Sequence, residues 1–172
     1  MITLVLGGTA SGKSLIAEEL AGELGNDVTF VATAVATPGD ADHAARIDAH
    51  RARRPASWST LECSALADLP GHLRRIAGVA LVDSLGSWLA LAPGFDVSSE
   101  TADLLAALAE RDAPTVLVSE EVGLAVHPPS EAGRRYTEAL GELNQRVAAA
   151  ADRVLLVVAG RALELPCPSG AT

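Results

Sequence analysis

Lysine is nearly absent from this chain: twelve of its 13 basic side chains are arginine, and Lys13 stands alone. Aromatic residues are also sparse at 3%, so Trp58 and Trp88 are needed as core anchors and are poor candidates for stacking platforms. The two cysteines, Cys63 and Cys167, lie far apart and have no neighbours at metal-ligand spacing. That argues against a zinc site and for two free thiols in a reducing cytoplasm. No apolar run reaches the roughly 20 residues needed to span a bilayer. The opening run Ile2–Leu6 has neither a basic flank nor a cleavage-like end, so no signal peptide is expected. Acidic side chains outnumber basic ones 22 to 13, for a net charge of −9. Such a surface repels nucleic-acid phosphates, and nucleic acid is not an expected partner.

The 172 residues suffice for one domain with its own core. Short Val- and Leu-rich runs alternate with longer helical stretches. Strands are expected at 2–6, 28–33, 58–61, 79–83, 115–119 and 154–159. Helices are expected at 14–24, 42–53 (stopped by Pro55), 65–75, 100–111 and 130–151. Strands that are apolar on both faces, separated by helices, imply a mostly parallel sheet covered by helices, an α/β fold. The expected organisation is one domain over residues 1–165, with an antiparallel edge strand near its C-terminal end. A frayed tail is expected at 166–172, where small residues and two prolines gather.

The strongest motif follows the first strand. Gly7-Gly8-Thr9-Ala10-Ser11-Gly12-Lys13-Ser14 satisfies G-x-x-x-x-G-K-[ST] at every fixed position, between an apolar strand and an amphipathic helix. Glycines let the backbone curl so that its N–H groups face phosphate oxygens, aided by the positive end of the helix. Lys13 would reach the β- and γ-phosphates of a nucleoside triphosphate and the Ser14 hydroxyl would ligate Mg²⁺. A chain that otherwise uses arginine keeps lysine where a compact ammonium fits among phosphates and a planar guanidinium does not. Such a loop also needs a carboxylate at another strand end for the Mg²⁺ shell. Asp83 has that placement; Glu120 and Glu121, after the next apolar run, compete with it.

Arginines crowd between residues 46 and 54: Arg46, Arg51, Arg53 and Arg54 form the densest cationic cluster of an acidic chain, around His50. Beside a phosphate cradle such a cluster can neutralise a triphosphate. By spacing alone, a solvated basic helix with an incidental histidine is the simpler alternative. The cradle alone admits a small-molecule kinase, or a nucleotide-binding module without turnover.

The ordered pattern is longer than the cradle. Ala32-Thr33-Ala34 closes the second strand, and Arg46-Ile47-x-x-His50-x-x-x-Arg54-Pro55-x-x-Trp58-x-x-x-Glu62 follows. Leu81-Val82-Asp83-Ser84-Leu85 with Trp88, Glu121-Val122-Gly123 with Pro128, Gly141 with Asn144-Gln145, and Val157-Val158-Ala159-Gly160 complete it. From residue 2 to about 165 this resembles the bifunctional adenosylcobinamide kinase / adenosylcobinamide-phosphate guanylyltransferase family. The resemblance implies phosphorylation of adenosylcobinamide with ATP or GTP, then transfer of GMP from GTP to adenosylcobinamide phosphate, in adenosylcobalamin synthesis. It implies that His50 carries the GMP as a phosphoramidate. A neutral imidazole is a competent nucleophile near neutral pH, and arginines can absorb charge on the α-phosphate and on the leaving pyrophosphate. It further implies nucleotide contacts from Thr33, Arg53, Arg54, Glu62 and Asp83, and a homotrimer with the corrinoid between subunits. The chain departs from the family's habit at Ala10, Leu91, Glu120 and Thr137-Glu138, where arginine, asparagine, asparagine and an arginine–aspartate pair are common. His43, His72 and His127 lie off the pattern and read as surface or capping residues.

Overall fold

The computed structural model describes residues 1–34, 54–124, 126 and 128–167. The helix expected over 42–53, with His43, His50 and Arg53, lies outside them, as do His127 and the last five residues of the expected tail.

The chain alternates strand and helix. In order come β1 (Ile2–Gly7), α1 (Lys13–Leu24), β2 (Val28–Ala32), β3 (Ser59–Glu62), α2 (Asp68–Arg75), β4 (Val79–Asp83) and the short α3 (Leu85–Leu89). A 3₁₀ turn at Pro93–Phe95 leads to α4 (Ser98–Ala109), β5 (Thr115–Glu120), α5 (Glu131–Ala150), β6 (Arg153–Val158) and β7 (Arg161–Leu165). The sheet order is β3-β2-β4-β5-β1-β6-β7. All neighbouring strands run parallel except β6 and β7. The fold is therefore the expected α/β domain.

Alternation along the central strands divides their side chains between two cores. Leu4, Leu6, Val82 and Leu117 join Leu73 of α2, Trp88 of α3, Leu104 of α4 and Leu140 of α5 on one face. Val5, Leu81, Val116 and Val118 join Ala17 and Ala21 of α1 on the other, with Trp58 packed against them. Both tryptophans anchor core: Trp88 is fully buried and its indole N–H donates to the Leu66 carbonyl at 3.0 Å.

Two connections show how polar groups hold the sheet's surroundings. Arg111, just beyond α4, donates to the carbonyls of Leu73, Ile76 and Gly78 at 2.5 to 2.8 Å and to the Thr115 hydroxyl at 3.0 Å. One guanidinium thus satisfies the end of α2 and the turn into β4. The antiparallel edge is β7, joined to β6 by a two-residue turn in which Ala159 and Gly160 both have positive φ, 50° and 73°. That is the twist a tight hairpin requires.

Candidate functional site

The parallel strands deliver their C-terminal ends to one edge of the sheet. Register aligns Gly7 with Glu120, and Ala32 with both Asp83 and Glu62. The loop from Gly8 to Gly12 crosses this edge and feeds directly into α1 at Lys13, whose first-turn N–H groups have no helical acceptor. The curl is enforced locally. Gly12 has φ +94° and Ala10 +57°, and the Ser11 N–H closes back on the Gly8 carbonyl at 3.3 Å.

The loop rests on the β6–β7 hairpin. Gly160 N–H donates to the Ser11 carbonyl at 2.8 Å. A Cβ at Gly7 would lie 2.8 Å from the Val157 carbonyl oxygen, and one at Gly12 would lie 3.2 Å from the Gly160 Cα. Glycine is required here because backbone meets backbone.

Lys13 is 12% exposed, with its ammonium 3.4 Å from the Gly8 carbonyl and 3.8 Å from Glu120 Oε1. Glu120 ends β5, the strand beside β1, while Asp83 ends β4, one strand further out. At about 4.8 Å per strand, β4 lies about 10 Å from the cradle strand and β3, with Glu62, about 19 Å. Among the described residues no group of three or more His, Cys, Asp or Glu could hold a metal by itself. A donor set of one hydroxyl, Ser14, and one carboxylate, Asp83, completed by phosphate oxygens, suits Mg²⁺, which keeps few protein ligands.

A polar network backs Asp83 and Glu120. Thr33 is fully buried. Its hydroxyl donates to the Ser84 carbonyl at 2.6 Å and accepts from the Ser84 N–H at 2.7 Å. The Thr33 side chain is thus committed to the peptide following Asp83. The Ser84 hydroxyl reaches both Glu120 oxygens, at 2.9 and 3.1 Å. Asn144, buried on α5, donates to the Glu120 carbonyl and accepts from the Ser119 hydroxyl at 2.6 Å. A Cβ at Gly86 would collide with the Glu120 carboxylate and lie 2.6 Å from the Tyr136 hydroxyl. Burial, with the Glu120 charge nearby, pushes the Tyr136 phenol up to about 12.

Arg54 and Glu62 stand at the β2–β3 end. The Arg54 guanidinium lies 3.6 Å above the centre of the Phe30 ring and donates to Thr60 Oγ1 at 3.5 Å. The Glu62 carbonyl is 3.1 Å from His72 Nε2. A carbonyl can only accept, so Nε2 carries the proton and Nδ1 takes the hydrogen bond from Arg75 at 3.0 Å. His72 bridges β3 and α2, as a capping group would. Sequence reasoning missed Ser84 and Tyr136 as members of the site. Ser84 stands inside the quoted Leu81–Leu85 pattern but without a role, and Tyr136 has no local signal; the sheet order is what brings both to Glu120.

The cobinamide kinase / cobinamide phosphate guanyltransferase family model matches residues 3–165, nearly the whole chain. The chain belongs to this family. The bifunctional adenosylcobalamin biosynthesis protein CobP of Pseudomonas aeruginosa is 44% identical over 98% of this chain and 96% of its own length. CobU of Salmonella typhimurium is 37% identical over 93% and 97%. Among solved structures, an ATPase of a type III secretion system shares the fold, with a TM-score of 0.58 at 11% identity over 90% of this chain and 50% of that one.

Proposed function

We propose that this protein phosphorylates adenosylcobinamide with ATP or GTP and transfers GMP from GTP to the resulting phosphate. The observation that carries the reading is the family match across residues 3–165, which includes the cradle and the strand ends around it. The described residues support the nucleotide half of the chemistry in detail. Backbone N–H groups of residues 8–14 and the start of α1 would bind the phosphates, with Gly7 to Gly12 permitting the curl. Lys13, drawn from Glu120 to the β- and γ-phosphates, would stabilise charge as the terminal phosphoryl group leaves. Ser14 and Asp83 would hold Mg²⁺, which supplies charge neutralisation between the phosphates. Thr33 acts on Asp83 through the Ser84 peptide.

In the guanylyl step His50 is the nucleophile. Its ring nitrogen forms the bond to the α-phosphorus as the bond to pyrophosphate breaks. The phosphate of adenosylcobinamide phosphate then displaces the histidine. Arg53 and Arg54 neutralise the nucleotide, and Glu62 closes the far end of the edge. The protein works in the cytoplasm as a homotrimer, with corrinoid between subunits.

The test supplies adenosylcobinamide with ATP labelled on the γ-phosphate. Label appears on the corrinoid with the native protein and not with Lys13→Ala. An unlabelled corrinoid with the native protein, from γ-labelled ATP and from γ-labelled GTP alike, would overturn the kinase assignment.

A further inference from the structure

We propose that Glu120 selects the metal complex of the nucleotide over the free nucleotide: its carboxylate holds Lys13 in the cradle, and a bare triphosphate cannot displace it efficiently. The inference rests on the nucleotide reading of the cradle and adds to it a residue which that reading leaves without a role.

The pair is poorly solvated. Lys13 and Glu120 side chains are 12% and 28% exposed and 3.8 Å apart, so their interaction is screened far less than at a free surface. Glu120 also has no retreat. Its backbone is fixed opposite Gly7 by strand register, and its carbonyl is bound by Asn144. Its carboxylate is held by Ser84, which Thr33 fixes in turn, while Gly86 and the Tyr136 hydroxyl close the space behind.

When phosphate claims Lys13, the carboxylate therefore stays beside it as an uncompensated like charge. A free nucleoside triphosphate meets that charge with its full negative charge. A divalent cation bound between the phosphates offsets part of it, so the carboxylate penalises the free nucleotide more than its metal complex. Asp83, one strand further from β1, remains the carboxylate for the metal.

The experiment is calorimetric titration of the full chain with a GTP analogue bridged by methylene between its α- and β-phosphates, which cannot transfer GMP. It is run in magnesium and in a chelator, for the native protein, Glu120→Gln and Glu120→Asp. Glutamine keeps the shape and the contact with Ser84 and removes the charge. Its affinity in chelator is expected to rise about tenfold, equal to about 1.4 kcal/mol, with less than about a threefold change in magnesium. Glu120→Asp, which keeps the charge, is expected to retain the native preference for the metal complex. Unchanged affinity of Glu120→Gln in chelator would overturn the proposal. So would a tenfold loss confined to magnesium, which would make Glu120 a metal ligand. If the native protein binds the analogue in neither condition, the nucleotide reading itself fails and the selector falls with it.

Discussion

Lys13 is legible because a phosphate cradle fixes its residue types by position; Glu120 is legible only as a competitor for the metal-shell carboxylate, because its pairing with Lys13 depends on β5 lying beside β1. Replacing Lys13 with methionine keeps most of the side chain's packing and removes the charge. Nucleotide affinity is expected to fall about tenfold to a hundredfold by calorimetry, and Lys13→Arg is not expected to restore it, since a planar fork replaces a compact ammonium. Thr33 shows the opposite situation. Its place beside the second strand was readable, but the commitment of its hydroxyl to Ser84 became visible only with β2 and β4 side by side. The cysteines separate by environment. Burial, with Asp68 adding to it, pushes the Cys63 thiol up to about 12, whereas Cys167 is exposed. At pH 8 a thiol reagent should label one cysteine in the native protein and two after denaturation, counted by mass spectrometry.

Strands that bury both faces and a long helix that buries one are the elements the hydropathy marks. The central strands and α5 are read from hydropathy nearly to their observed bounds. The edge strand β7 was expected near the C-terminus but could not be located, because its residues from Arg161 to Glu164 are exposed and carry no periodic signal. The short α3 has five residues, about one and a half turns, too brief for a helical period to be read. The β6–β7 hairpin matters more than its exposure suggests, since it supports the cradle. Gly12→Ala places a Cβ against the Gly160 backbone at φ +94°. It should cost about 1–2 kcal/mol of stability in denaturant unfolding and reduce nucleotide affinity at least about tenfold. Arg111 is the comparable joint at the other end of the sheet. Burial lowers its pKa from the ordinary guanidinium value, yet it remains charged and binds three carbonyls. Arg111→Met is expected to destabilise the fold by about 2 kcal/mol, read as a lower midpoint in urea with an unchanged slope.

At the scale of the molecule, an acidic chain of net charge −9 places its lone lysine in the cradle and crowds four arginines into residues 46–54, around His50. The sheet order explains the rest of the arrangement. Gly7, Glu120, Asp83, Ala32 and Glu62 end neighbouring strands and so share one edge. Among the described residues no helix is long and apolar enough to cross a membrane. On the proposed function one chain runs both phosphoryl and guanylyl transfer, the second through His50. Incubation with GTP labelled on its α-phosphate measures this directly. The protein is expected to carry label that is lost in acid, survives alkali and disappears in His50→Ala. An unlabelled native protein, or equal labelling of His50→Ala, would contradict it.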